Sequence, residues 1–231
     1  MDLLWEGCKQ AFWLLMTGDP EVVRITLLSL GVSSLAVCLS LLSGVPVGTL
    51  LALADFPARR LLVSLVNTGM GLPPVVVGLF VMILLWRSGP LGFLELLFTP
   101  AAIVGAQVII ASPIVTGLTI AALQQLNPRL RLQLLALGAS HLQLLWLLLR
   151  EARLPLLAAI MAGFGGVISE VGAVMMVGGN IKGHTRVLTT AIVLESRMGH
   201  FDVAIALAIL LLVLTFLVNW GLTVIQQRKT P

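Results

Sequence analysis

Gln124-Gln-Leu-Asn-Pro-Arg-Leu-Arg131, continued by Leu132 to Arg153, is a basic, polar break in a chain that is otherwise almost continuously apolar. Apolar runs flank it, Ala101 to Leu123 before and Leu154 to Val177 after. A bilayer core about 30 Å thick needs about 20 apolar residues per helix, so both runs read as membrane spans and the break as their connection. Asn127-Pro128 is a turn signal that ends the earlier helix. Beyond it leucines recur between polar residues, and Gly138, Ala139 and Ser140, flanked by Leu137 and His141, form a smooth spot open to close approach. Two readings follow: a helical connector lying on the membrane surface, or a docking helix for a cytosolic partner.

Working outward, the same pattern repeats. Of 231 residues 58% are hydrophobic and 10% charged, with a mean hydropathy of +1.07. A soluble domain carries about 25% charged residues, so this chain has too little polar surface to cover its apolar groups in water. Its solvent is lipid. Further runs extend over Val22–Ala54, Leu61–Trp86 and Val203–Ile225. In the first, Gly44-Val-Pro-Val-Gly48 is expected to bend or relax the last turns; the second is interrupted by Asn67-Thr-Gly-Met-Gly-Leu-Pro-Pro74. The expected fold is an all-α polytopic membrane protein of about five spans (22–54, 61–86, 101–123, 154–177, 203–225). These form one transmembrane domain over 21–226, with a cytosolic loop at 124–153 and a tail at 227–231. Met1–Met16 lacks a basic start and a small-x-small cleavage site. With residues 17–20 it reads as an N-terminal interfacial segment anchored by Trp5 and Trp13.

The net charge of +4 does not point to nucleic acid, because the fourteen basic residues are scattered at the ends of apolar runs. Arg59, Arg60, Arg129, Arg131, Arg150, Arg153, Arg228 and Lys229 fall on one side, eight in all; Lys9, Arg24, Arg87, Lys182, Arg186 and Arg197, six, fall on the other. The positive-inside rule puts the C-terminus in the cytosol and the N-terminus outside.

Few residues carry chemistry. Cys8 and Cys38 make neither a disulfide framework nor a zinc site, and His141, His184 and His200 are too dispersed for a metal triad. Without a Gly-x-x-x-x-Gly-Lys-Ser/Thr loop, no cofactor is expected in this chain. Glu170, next to Ser169, is the acidic residue placed deep in an expected span; such groups are costly and face a partner or water. It is either a gate group on a pathway or an acceptor of hydrogen bonds that lock helices. The glycine-rich Gly178-Gly-Asn-Ile-Lys-Gly-His-Thr-Arg186 loop offers Asn180, Lys182, Thr185 and Arg186. Its N–H groups and charges suit an anion, a protein docking on this face, or simple loop geometry.

The motifs resemble a family. Leu137-Gly-Ala-Ser140 followed by Leu154-Pro155 is similar to the second half of the cytosolic Glu-Ala-Ala…Gly signature of binding-protein-dependent ABC importer permeases. Leu132, Gln133 and Leu134 stand where Glu-Ala-Ala would, and the glycine-to-proline interval is longer by four residues. Downstream, Ala162-Gly-Phe-Gly-Gly-Val-Ile-Ser-Glu-Val-Gly-Ala173 and Met175-Met-Val-Gly-Gly-Asn-Ile-Lys-Gly-His-Thr-Arg186 resemble the oxyanion branch. The Ser-Glu-Val-Gly-Ala form is most similar to tungstate permeases, as are Gly18-Asp-Pro-Glu21 and Thr189-Thr-Ala-Ile192. The resemblance implies a type I importer permease in a prokaryotic inner membrane, moving tungstate or the related molybdate. It implies a homodimer, two cytosolic ATPase subunits that bind the ATP and magnesium, and an extracytoplasmic binding protein. On this resemblance Leu137–His141 couple to the ATPase, and Ser169, Glu170, Asn180, Lys182, Thr185 and Arg186 are gate or pathway candidates. Sulfate is the alternative cargo. An intramembrane enzyme would need a facing nucleophile and base, and a secondary transporter internal repeats or several buried charges.

Overall fold

The computed structural model describes Trp5, Gly7, Lys9 and residues 18–227. The expected interfacial helix over Met1–Met16 and the tail at 227–231 fall largely outside the described residues; of the first, the Lys9 ammonium sits 5.3 Å from the Trp5 ring centroid. The described chain is helical: α1 (Pro20–Leu53), α2 (Arg59–Met70), α3 (Pro74–Leu85), α4 (Pro100–Gln124), α5 (Pro128–Ala136), α6 (His141–Glu151), α7 (Arg153–Ile168), α8 (Gly172–Gly178), α9 (Leu188–Arg197) and α10 (Phe201–Gln227). Among the described residues three helices are long and apolar enough to cross a membrane, and up to five spans result if each of two bent pairs counts as one.

Helix α1 starts where local chemistry dictates. The Asp19 carboxylate accepts the N–H groups of Glu21 (2.8 Å) and Val22 (3.1 Å), and Pro20 sits where its missing N–H costs nothing. At 1.5 Å per residue its 34 residues extend about 51 Å, well beyond the hydrocarbon core. The expected relaxation at Gly44-Val-Pro-Val-Gly48 is corrected: the segment stays α-helical to Leu53. The two glycines instead seat α1 on α4. A β-carbon on Gly44 would lie 2.9 Å from Val115 Cγ1, and one on Gly48 2.7 Å from Thr119 Cβ. Small residues four apart let helix backbones approach closely where lipid removes any hydrophobic drive to associate.

The second apolar run, expected to be interrupted within Asn67–Pro74, and the fourth, for which no break was expected, are both broken. α2 and α3 meet at 101° across Gly71-Leu72-Pro73, where Pro73 excludes a helical conformation for Leu72. α7 and α8 meet at 58° across Ser169-Glu-Val171. Each break turns a short helix towards the other. A β-carbon on Gly78 of α3 would lie 2.6 Å from the Ala173 Cα of α8, and one on Gly172 2.6 Å from Val75 Cγ2. Around this contact Val77, Val81 and Leu85 of α3 join Ala102, Ile103, Val174 and Val177 in one buried cluster. Apolar side chains also cover the outside: Leu42, Leu212, Phe216 and Trp220 are exposed on α1 and α10, as a lipid solvent requires.

Candidate functional site

The candidate residues gather at the two ends of α1. At its C-terminus stands the α5–α6 hairpin. The Asn127 side chain accepts the Arg129 N–H at 2.9 Å and starts α5. Gly138, at φ +82, ends it: Ala139 N–H bonds Leu134 O (3.1 Å) and Gly138 N–H bonds Leu135 O (3.0 Å), the closure that a left-handed glycine permits. Ser140 then caps α6 reciprocally with Gln143, at 3.4 and 2.9 Å. The expected smooth spot is therefore a tight turn with open space over Gly138, flanked by Leu137 and Leu142, 84% and 79% exposed. His141 is exposed as the first residue of α6. Beneath it, Leu144, Leu148 and Ala152 pack on Ala122 and Leu123. Two arginines tie this end together: Arg59 Nε donates to Leu51 O at 2.7 Å and Arg131 Nη1 to Leu53 O at 3.3 Å. Both cations thus sit at the negative end of the α1 dipole.

At the N-terminus of α1 lies the 179–187 loop. Gly179 and Asn180 take left-handed conformations, φ +69 and +52, and a β-carbon on Gly179 would strike the Phe98 ring at 2.8 Å. Buried Thr185 staples the loop, donating to Gly178 O and accepting the Ile181 N–H at 3.0 Å. Lys182 Nζ lies 2.7 Å from Glu21 Oε2, and Arg186 Nη1 3.3 Å from Glu21 Oε1. Of the three expectations for this loop, an anion site, a protein-docking face or simple loop geometry, the first would draw on these two cations, which here share a carboxylate. Arg186 is the more committed, its side chain only 14% exposed against 69% for Lys182.

Glu170 belongs to the same end. Expected deep within the fourth span, it stands in the α7–α8 break, where its Oε1 accepts the Ala173 N–H at 2.9 Å and its carbonyl accepts Thr189 Oγ1 at 2.9 Å. Ser169 Oγ turns back to Gly165 O at 2.7 Å. From α4, Gln107 Nε2 donates to Val167 O at 3.0 Å, capping the end of α7. These bonds pair the Val167 and Glu170 carbonyls and the Ala173 N–H at the break, and such pairing is the condition under which a membrane tolerates irregular backbone. Among the described residues three buried polar atoms have no partner: Gln107 Oε1, Asn180 Oδ1 and Arg186 Nε.

Sequence reasoning missed Glu21, Gln107, Thr189 and Arg59 as members of these sites. Glu21 lay within a quoted motif, but its cations come from far along the chain, |i−j| of 165 for Arg186, and no local period joins them.

The fold thus gathers an exposed hairpin tip at one end of α1 and a clamped loop at the other. The family model described as the binding-protein-dependent transport system inner membrane component matches residues 44–231. The chain belongs to this family. The permease is 40% identical over 228 residues to the tungstate uptake system permease protein TupB of Peptoclostridium acidaminophilum, covering 99% of this chain and 100% of that one. It is 43% identical over 203 residues to a probable anion ABC transporter permease protein of Haloferax volcanii, with 86% and 88% covered. Among solved structures, an inward-facing MetNI methionine ABC transporter superposes with a TM-score of 0.78 at 20% identity, over 92% of the permease and 98% of that chain. The fold is that of type I importer permeases. The permease is a transport subunit of the inner membrane, not an enzyme, and works with a separate ATPase and a substrate-binding protein.

Proposed function

We propose that the permease carries tungstate, or the closely similar molybdate dianion, inward across the cytoplasmic membrane. It does so as a homodimer with two ATPase subunits and an extracytoplasmic oxyanion-binding protein. The 40% identity to a tungstate uptake permease over almost the whole of both chains carries the choice of cargo. The α5–α6 hairpin is the docking element: Leu137 and Leu142 at its tip are apolar, exposed and backed by a packed base, as a surface awaiting a partner is. Movement of the hairpin reaches the outer face through α1, held by Arg59 and Arg131 at one end and by the Glu21 clamp at the other. ATP then biases two packings of the same helices. Ser169 and Glu170 shape the break beside the cargo path rather than bind the anion, since a carboxylate repels a dianion. Asn180, Lys182, Thr185 and Arg186 form the outer gate. The domain is one unit over 21–226, with 124–153 as its cytosolic loop.

Reconstitution in liposomes tests this reading. Permease with its ATPase and binding protein should accumulate tungstate only when ATP is supplied on the hairpin side. Oxyanion movement by the permease alone, or ATP-driven uptake of sulfate in preference to tungstate, would overturn it.

A further inference from the structure

We propose that a groove between the C-terminal half of α1 and helix α6 binds one anionic phospholipid, its acyl chain in the groove and its phosphate on Arg131. The proposal rests on the orientation given above, with this end of α1 in the cytosolic leaflet. The groove has a volume of about 570 Å³ and is lined by Val45, Thr49, Leu53, Arg131, Leu145 and Leu149, among others. That volume is within the roughly 300–1,000 Å³ of ligand sites. Its walls are effectively hydrocarbon, because the Thr49 hydroxyl is satisfied by Val45 O within its own helix, at 2.7 Å. Arg131 is the exception. Among the described residues its side chain makes one hydrogen bond, to Leu53 O at 3.3 Å, and a guanidinium has five donors.

Depth and charge select the occupant. Trp146 on α6 is exposed, with the Arg150 guanidinium 5.1 Å from its ring centroid. An exposed tryptophan beside an arginine marks the headgroup level, so the groove runs from the apolar body of α1 up to where a phosphate lies. The segments at this rim, 55–60 and 125–153, hold Arg59, Arg60, Arg129, Arg131, Arg150 and Arg153 against Asp55 and Glu151, six cations to two carboxylates. Basic pockets between helices on the cytosolic side suit anionic headgroups, whereas a neutral lipid or an apolar protein segment gains nothing from that charge. The ATPase, a water-soluble partner, meets the protruding Leu137–Leu142 tip instead.

The test is native mass spectrometry of the permease–ATPase complex released from nanodiscs of equal phosphatidylglycerol and phosphatidylcholine. The complex should retain phosphatidylglycerol in preference to phosphatidylcholine. Arg131→Gln should cut that retention at least fivefold, and Val45→Phe, which fills the groove, should do the same. Arg129→Gln, whose side chain does not line the groove, should stay within twofold of the parent. Equal retention by Arg131→Gln and the parent, or equal loss in Arg129→Gln, would overturn the site in favour of bulk or diffuse lipid contact. So would a cross-link from Leu149→Cys to the ATPase or to a second permease copy. A failure of the transport reading appears elsewhere, as lost uptake in the intact importer, and leaves these lipid counts unchanged.

Discussion

Replacing Glu21 by Gln should release the outer loop without unfolding the permease. The carboxylate holds Lys182 at 2.7 Å and Arg186 at 3.3 Å. The Lys182 contact is exposed and screened, and exposed pairs contribute about 0.2–1 kcal/mol. The Arg186 contact is mostly buried, where a hydrogen bond to a charged group is worth about 1.5–3 kcal/mol. Because the Glu21 side chain is itself 37% exposed, the lower part of that range applies, and the clamp comes to about 2 kcal/mol. Every 1.4 kcal/mol is a factor of ten, so amide hydrogen exchange in the 181–186 segment should accelerate by about 30-fold. Exchange in the middle of α4 should not change. Lys182→Ala alone should accelerate the loop no more than about fivefold. Loop exchange within twofold of the parent in Glu21→Gln would refute the clamp, as would equal acceleration throughout α4, which would mean global loosening.

Three further outcomes are expected. Leu137→Glu places a charge on the hairpin tip and should lower ATPase co-purification at least tenfold with insertion unchanged; it is a cleaner probe than Gly138→Trp, which also strains a left-handed turn by about 1–2 kcal/mol. Undiminished ATPase capture would remove the docking role. Gly78→Ala should cost about 1–3 kcal/mol by overpacking, read as a lower melting temperature, because the new methyl meets the Ala173 backbone; an unchanged melt would mean α3 and α8 can part freely. Glu170→Ala should lose about 0.5–2 kcal/mol as a capping group is removed, whereas Glu170→Gln keeps the acceptor and should melt and transport like the parent. Lost uptake in Glu170→Gln with an unchanged melt would instead give the charge itself a part in transport.

How much of this was legible in the sequence depends on how local each cause is. The start of α1 at Asp19-Pro20 and that of α5 at Asn127-Pro128 are written in adjacent residues, because a cap and its N–H groups lie within three positions. The Gly71–Pro74 interruption was visible as punctuation, but hydropathy measures length and not direction, so the 101° turn was not. The second break was less legible still. Val167 to Gly172 reads as apolar helix apart from Ser169 and Glu170, and the groups that let the chain turn there, Gln107 and Thr189, come from other helices. Glu170 did signal the place, as an ionisable group where none belonged and a candidate hydrogen-bond acceptor, though its partner, the Ala173 N–H, exists only because the chain turns there. At Gly44 and Gly48 the residues were legible and their purpose was not: the same glycines suit a loosened helix or a tight seam, and the choice is made by Val115 and Thr119 on α4.

The pairing of α3 with α8 bears on how the protein is made. At 1.5 Å per residue α3, with 12 residues, is about 18 Å long, too short to cross a bilayer core of about 30 Å. Its packing face is completed by α8, which emerges from the ribosome only after α4, the hairpin and α7. Until then the Val77–Val81 face of α3 can pack only on α4, through Ala102 and Ile103, and lacks the half supplied by Ala173, Val174 and Val177. A nascent chain stalled before Gly172 should be an early substrate for membrane quality control, and its release from that fate marks the moment when the second half-helix arrives.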